Sequence, residues 1–245
     1  AFMGILIGSG FATGQELMQF FASYGLVGLA GIVTSSVLFA FVGVEFVTYG
    51  HERELKNPND VYKEIAGDKI GTFYDYFSTF FLFSSFTVMV AGADATVEYQ
   101  YHAPNYLGGI LLGILAIITV VFGLKTMVEI IGKIGPVIVV LAILVGGVSI
   151  IQNRGGLGES LETIKILSAS NDLTKSTKLG FFVSALTYVG FNMMWLGAFS
   201  ATVGSEAENF KEARNGQILG AIGLSLAILI MYFAIILSLS LIHIS

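Results

Sequence analysis

The chain has 245 residues, of which 55% are hydrophobic and 12% charged, about half the roughly 25% charge of an ordinary soluble domain. With a mean hydropathy of +0.82, this is not the composition of a water-soluble protein. Cys 0 excludes a disulfide framework, a thiolate nucleophile and a Cys-ligated metal, and the net charge of -5, with no basic cluster, carries no footprint of nucleic acid.

Crossing the hydrocarbon core takes about 20 apolar residues. Runs free of Asp, Glu, Lys, Arg and His cover 17–44, 76–93, 103–124, 134–153, 179–205 and 215–242. A further apolar stretch precedes Glu16, so seven spans are predicted: 1–23, 26–49, 73–97, 106–123, 127–151, 180–203 and 217–238. Thirty glycines suit such a bundle, because small residues let lipid-embedded helices approach closely.

The connection 51–71 holds Arg53, Lys56, Lys63 and Lys69, whereas the turn "YQYHAPN" after the third span holds no Lys or Arg. Basic residues favour the cytoplasmic side, so the first connection is placed inside and the first span runs outward. Lys125, Lys211 and Arg214 then fall inside as well. Arg154, Lys165, Lys175 and Lys178 fall in the long outer connection 152–178, which translocates largely regardless of charge. Within it, Leu157, Leu161, Ile164 and Leu167 recur at helical spacing, which predicts a short amphipathic helix. The chain is expected to be a single transmembrane domain over 1–238. Its start is expected to be truncated, since few residues precede Gly8, and "LSLIHIS" at 239–245 resembles the translated end of a transposon adapter and is expected to be a scar.

The first span contains Gly8, Gly10 and Gly14, with Ser9 and Thr13 between them. Glycine costs about 1 kcal/mol inside a helix, and unpaired backbone in hydrocarbon costs several times more. The cluster therefore reads either as a deliberate break facing protein or water, or as a small-residue face for close helix packing. In a break, freed amides can hold an anionic group and freed carbonyls a cation. The sixth span offers a second candidate break in "TYVGFNMMWLG", where Gly190 and Asn192 lie at the centre of the run. Spans one and six share a Gly-Phe step, Gly10-Phe11 and Gly190-Phe191. A repeat of five helices would be inverted across the membrane.

The segment "IGSGFATGQE" resembles the broken first helix of the amino acid-polyamine-organocation superfamily. Together with "LMQFF", "GKIGP" and "TYVGFN", the chain is more similar to the YkvI-like family of uncharacterised bacterial membrane proteins, up to about Leu237. The resemblance implies an all-α LeuT-like inverted-repeat bundle, with 1–151 as the first five-helix repeat, 180–238 as the start of the second, and breaks in helices 1 and 6. It further implies that Gly8, Ser9 and Gly10 offer backbone groups to a substrate carboxylate, and that Tyr188, Gly190 and Asn192 complete the pocket. Glu16 departs from the superfamily pattern.

Glu16 has three readings: a structural cap on the break, a cation or proton coupling group, and a contact for a substrate amine. Asp94, four residues before Glu98, is an interfacial carboxylate or a gating group of an outer vestibule. Ser84, Ser85 and Thr87 contact ligand or bond a neighbouring helix. Lys133 snorkels to the cytoplasmic surface beside Glu129, Glu45 is interfacial, Pro136 kinks its helix, and His51 and His102 lack ligand-spaced partners for a metal.

These features together predict a secondary active transporter in the bacterial cell membrane, moving an amino acid or a similar small zwitterion or amine, with Na⁺ or H⁺ as coupling ion and no other cofactor. The rival readings are a channel, which would carry a continuous polar stripe, and a membrane sensor that binds without transporting. No convergent catalytic constellation is present in the sequence, so no enzyme is expected.

Overall fold

The computed structural model describes residues 2–8, 11, 14–53, 59–122, 124–153, 158, 160, 162, 163 and 175–242, with the side chains at 3, 5, 124–129, 131 and 239–242 outside the description. Among these residues the chain is helical: α1 Phe2–Leu6, α2 Gln15–Phe20, a 3-10 turn at Ala22–Val27, α3 Gly28–Arg53, α4 Asp60–Tyr101, α5 Leu107–Val121, α6 Leu124–Asn153, α7 Phe181–Ser205 and α8 Phe210–Ile242. Five helices, α3, α4, α6, α7 and α8, are long and apolar enough to cross a membrane. Most of the connection 152–178, including the predicted amphipathic helix, lies outside the described residues.

Seven continuous spans are therefore not what the chain forms. The first predicted span is split, because α1 ends at Leu6, residues 7 and 8 are not helical, and α2 begins only after Gly14, which sits at φ 75° in the left-handed region that glycine enters without a Cβ clash. The fourth is a 15-residue helix, about 22 Å long at 1.5 Å per residue and short of the roughly 30 Å hydrocarbon core. The predicted break in the sixth span is corrected as well: α7 runs unbroken from Phe181 to Ser205. Gly190 is exposed, with nothing near the place a Cβ would occupy. A lone glycine costs a helix about 1 kcal/mol, too little to open a ladder of backbone bonds in an apolar setting.

The core is assembled around the split span. Phe2, Leu6, Phe11, Leu17 and Phe21 are buried among Phe39 of α3, Tyr188 and Leu196 of α7, and Leu224, Ile228 and Tyr232 of α8. Helices α3 and α7 lie backbone to backbone. A Cβ on Gly50 would stand 1.9 Å from the Ala201 carbonyl, and one on Gly204 would stand 2.0 Å from the Val47 carbonyl. Only residues without side chains allow that approach, so the pairing is written into those two positions. Helix α8 packs along α6 and α3, and α4 pairs with α5.

The connection predicted at 51–71 is partly helical. Helix α4 starts at Asp60 and turns at Gly67, φ 77° and ψ 164°, before continuing to Tyr101. Its first turn buries Tyr62, whose hydroxyl donates to the Met194 carbonyl at 2.5 Å and accepts from the Ala198 amide at 3.3 Å. Hydroxyls elsewhere in the apolar helices bond back to their own ladder, as Thr48 does to Val44 and Thr202 to Ala198, which satisfies them without water. Large apolar side chains cover the outward faces of α4, α5 and α6, including Phe80, Phe83, Ile114, Ile117 and Val145. That is the surface a lipid-embedded bundle presents, because lipid chains solvate such groups as well as a protein core does.

Candidate functional site

Helix α2 is only six residues long, far below the roughly 12–15 needed for an isolated helix to persist in water. It is held from both ends. Gly14 accepts from the Met18 amide at 2.9 Å and packs under Ile235 of α8. At the other end the Gln19 carbonyl accepts from the Ser176 amide at 3.1 Å and the Ser23 hydroxyl at 3.2 Å, and the Phe20 carbonyl accepts from the Ser184 hydroxyl at 2.7 Å. Carbonyls orphaned at a helix C-terminus are thus satisfied by one backbone amide and two hydroxyls from three segments. The following corner needs Gly25, at φ 62°, whose carbonyl accepts from the Tyr232 hydroxyl at 2.6 Å.

So fixed, α2 forms one wall of a cleft of about 640 Å³, whose other walls come from α4 and α7. Glu16, Gln15 and Gln19 face it from α2, Ser84 and Ser85 from α4, and Asn192 from α7; Gly8, beside the Met89 methyl, contributes backbone. Five of the predicted site residues, Gly8, Glu16, Ser84, Ser85 and Asn192, therefore share one cleft although they are spread over three separate segments. Two of the polar groups are partly engaged: the Ser84 hydroxyl donates to the Phe80 carbonyl at 3.0 Å and the Asn192 amide to the Tyr188 carbonyl at 2.9 Å. Glu16 has no hydrogen bond or ion pair among the described residues.

The remaining predicted residues stand elsewhere. Tyr188 is fully buried behind the cleft, its ring 5.1 Å from Phe20, 5.0 Å from Phe21 and 5.7 Å from Phe39. Its hydroxyl has no hydrogen-bond partner among the described residues. Gly190 faces away from the cleft, since residues two apart on a helix point to nearly opposite sides, while Tyr188 and Asn192, four apart, share a side. Gly14 is the left-handed residue that starts α2 and does not line the cleft. Ser9, Gly10 and Thr13 lie outside the described residues.

Asp94 is not in the cleft. Its two carboxylate oxygens accept from the Tyr106 amide at 3.1 Å and the Gly109 amide at 3.4 Å, so it caps the start of α5 across the α4–α5 hairpin. A carboxylate there satisfies orphan amides and complements the positive end of the helix dipole. Thr87 is exposed and bonds its own helix at Phe83.

The aromatic lining was not anticipated. Phe81 and Trp195 stack at 5.5 Å and 15°, and Phe191 meets both nearly at right angles, at 5.2 and 5.1 Å. Phe191 and Trp195 are four apart on α7, a spacing that places them on one face; with Gln15 and Gln19, also four apart beside Glu16, they were the available signals.

No family model matches the chain, and no solved structure matches it. Two curated proteins do. The chain is similar to uncharacterised proteins of Bacillus subtilis (strain 168). It is 22% identical over 227 residues to the "Uncharacterized membrane protein YkvI", covering 93% of this chain and 62% of that protein. It is 26% identical over 225 residues to the "Uncharacterized protein YyaD", covering 90% of this chain and 61% of that protein. The chain thus spans about three fifths of the length of these curated relatives. The likeness and the apolar helices agree on a membrane protein, and the relatives' names specify no activity.

Proposed function

We propose that the cleft is the solute site of a secondary active transporter in the cell membrane, carrying an amino acid or a related small amine by alternating access, with Na⁺ or H⁺ as coupling ion and without enzymatic chemistry. One observation carries this reading: a split first span places a lone, half-buried carboxylate, Glu16, in a cleft with Ser84, Ser85 and Asn192 from two other helices. Polar and ionisable groups are costly within a membrane and gather where solutes, ions or protons pass. Interrupted helices there likewise surround binding sites, because irregular backbone persists only beside protein or a wet cavity. The LeuT-like inverted repeat and the amino acid-polyamine-organocation superfamily are part of this proposal, and the split first span is what supports them.

The test is uptake into proteoliposomes, by the protein encoded in the complete gene, of labelled amino acids and small amines under an imposed Na⁺ or H⁺ gradient. Accumulation above equilibrium that Glu16→Gln abolishes is the expected result. Solute that only equilibrates would make the protein a pore, and binding without movement would make it a sensor.

A further inference from the structure

Resting on the reading of the cleft as a solute site, the chemistry of its walls narrows the solute. Glu16 is the charged residue among the described lining, which includes no Lys, Arg or His. A partly desolvated carboxylate without a partner favours a cationic ligand and repels an anionic one. One polar group opposite it has the same bias. The Ser84 hydroxyl donates to the Phe80 carbonyl, so what it offers the cleft is lone pairs. Asn192 donates one amide proton to the Tyr188 carbonyl and keeps its carbonyl oxygen and a second N–H. Like Ser85 and the Gln15 and Gln19 amides, it can accept from a ligand or donate to it and does not decide the matter.

The third wall adds to this. Phe81, Phe191 and Trp195 are half-buried and packed on one another beside the cleft. Ring faces carry negative electrostatic potential, which attracts cations and disfavours carboxylates, while the ring carbons cover an alkyl body. A charge, lone pairs and ring faces thus converge on one ligand type.

We propose that the cleft selects a small protonated alkylamine lacking a carboxylate, its N–H groups meeting Glu16, Asn192 and Ser84 and its alkyl body lying on Phe81, Phe191 and Trp195. The corresponding α-amino acid would bring its carboxylate against Glu16 and the ring faces, and a quaternary ammonium would leave the acceptors without N–H donors.

Trp195 is the sole tryptophan of these 245 residues, and in the complete protein the difference between wild type and Trp195→Phe isolates its fluorescence at the site. The protein from the complete gene, in nanodiscs, is titrated with n-butylammonium, norvaline (the same amine with an α-carboxylate), n-butanol and tetramethylammonium, with Trp195→Phe as the blank. Butylammonium is expected to saturate at a concentration about tenfold below each of the other three, and Glu16→Gln to weaken it by about tenfold, as loss of a charge-assisted bond would. Ser84→Ala should weaken butylammonium and leave tetramethylammonium unchanged. Norvaline binding as well as butylammonium would overturn the proposal. Equal binding of n-butanol would reduce the cleft to an apolar slot, and equal binding of tetramethylammonium would leave the rings acting without the acceptors; either result overturns it too. Gradient-driven uptake of norvaline without amine preference would sink this inference and keep the carrier. Amine-selective binding without any uptake would keep this inference and sink the carrier.

Discussion

The Tyr62 hydroxyl donates a 2.5 Å hydrogen bond to the Met194 carbonyl. It also accepts from the Ala198 amide, so one side chain from the start of α4 joins the two groups that a single turn of α7 would pair, and Trp195 of the cleft lies within that turn.

Removing the hydroxyl and removing the ring should therefore differ. Tyr62→Phe leaves the Met194 carbonyl within reach of its own helix and is expected to cost about 1 kcal/mol, the net worth of one hydrogen bond. Tyr62→Ala also empties the space beside Phe46 and Tyr74, whose rings lie 6.5 and 6.1 Å away, and should cost about 3–5 kcal/mol. Thermal unfolding in detergent ranks the two; equal losses would show that packing contributes nothing here.

Two of the glycines that were expected to mark breaks, Gly14 and Gly190, should behave oppositely. Gly14→Ala forces a Cβ into left-handed backbone and within 3.2 Å of Ile235, with an expected loss of about 1–2 kcal/mol. Gly190→Ala places a methyl in open space on an exposed helical face, with an expected gain of up to about 1 kcal/mol. A loss at Gly190 comparable to that at Gly14 would reinstate a break in α7.

Asp94→Ala removes the cap on α5 and should destabilise the α4–α5 hairpin by about 1 kcal/mol, seen as faster amide exchange at Tyr106 and Gly109, while ligand-dependent Trp195 fluorescence stays unchanged. A change in ligand affinity would return Asp94 to the gating role that its position in the sequence suggested.

The contact between α3 and α7 tolerates no side chain. Gly50→Leu and Gly204→Leu each drive carbons into a facing carbonyl and should cost at least about 3 kcal/mol, measured as loss of folded, monodisperse protein. Recovery of either variant in good yield would mean that the helices can move apart.

Much of this architecture was legible in the residues. The apolar runs located the long helices because, in lipid, every backbone group must be paired within its segment. The interruption of the first span was legible because three glycines fall within seven positions. Gly190 misled because a single glycine near an amide resembles a break in composition, while Asn192 in fact satisfies its amide on the Tyr188 carbonyl within an unbroken helix. The role of Asp94 depends on how α5 folds back along α4, and no local pattern encodes that. The aromatic wall joins Phe81 to Phe191 and Trp195 across more than a hundred residues, so only the tertiary packing assembles it.

The glycine seam between α3 and α7 sets how the chain can vary. Along that seam every replacement is larger than what it replaces, so a saturation library would be nearly silent there, keeping only the starting glycine. On the outward faces of α4 and α5, where Phe83 and Ile117 are mostly exposed, almost any apolar residue should survive. Tolerance to change would then run in stripes along the helices, and the narrow stripe that accepts nothing would mark the seam without any structure being solved.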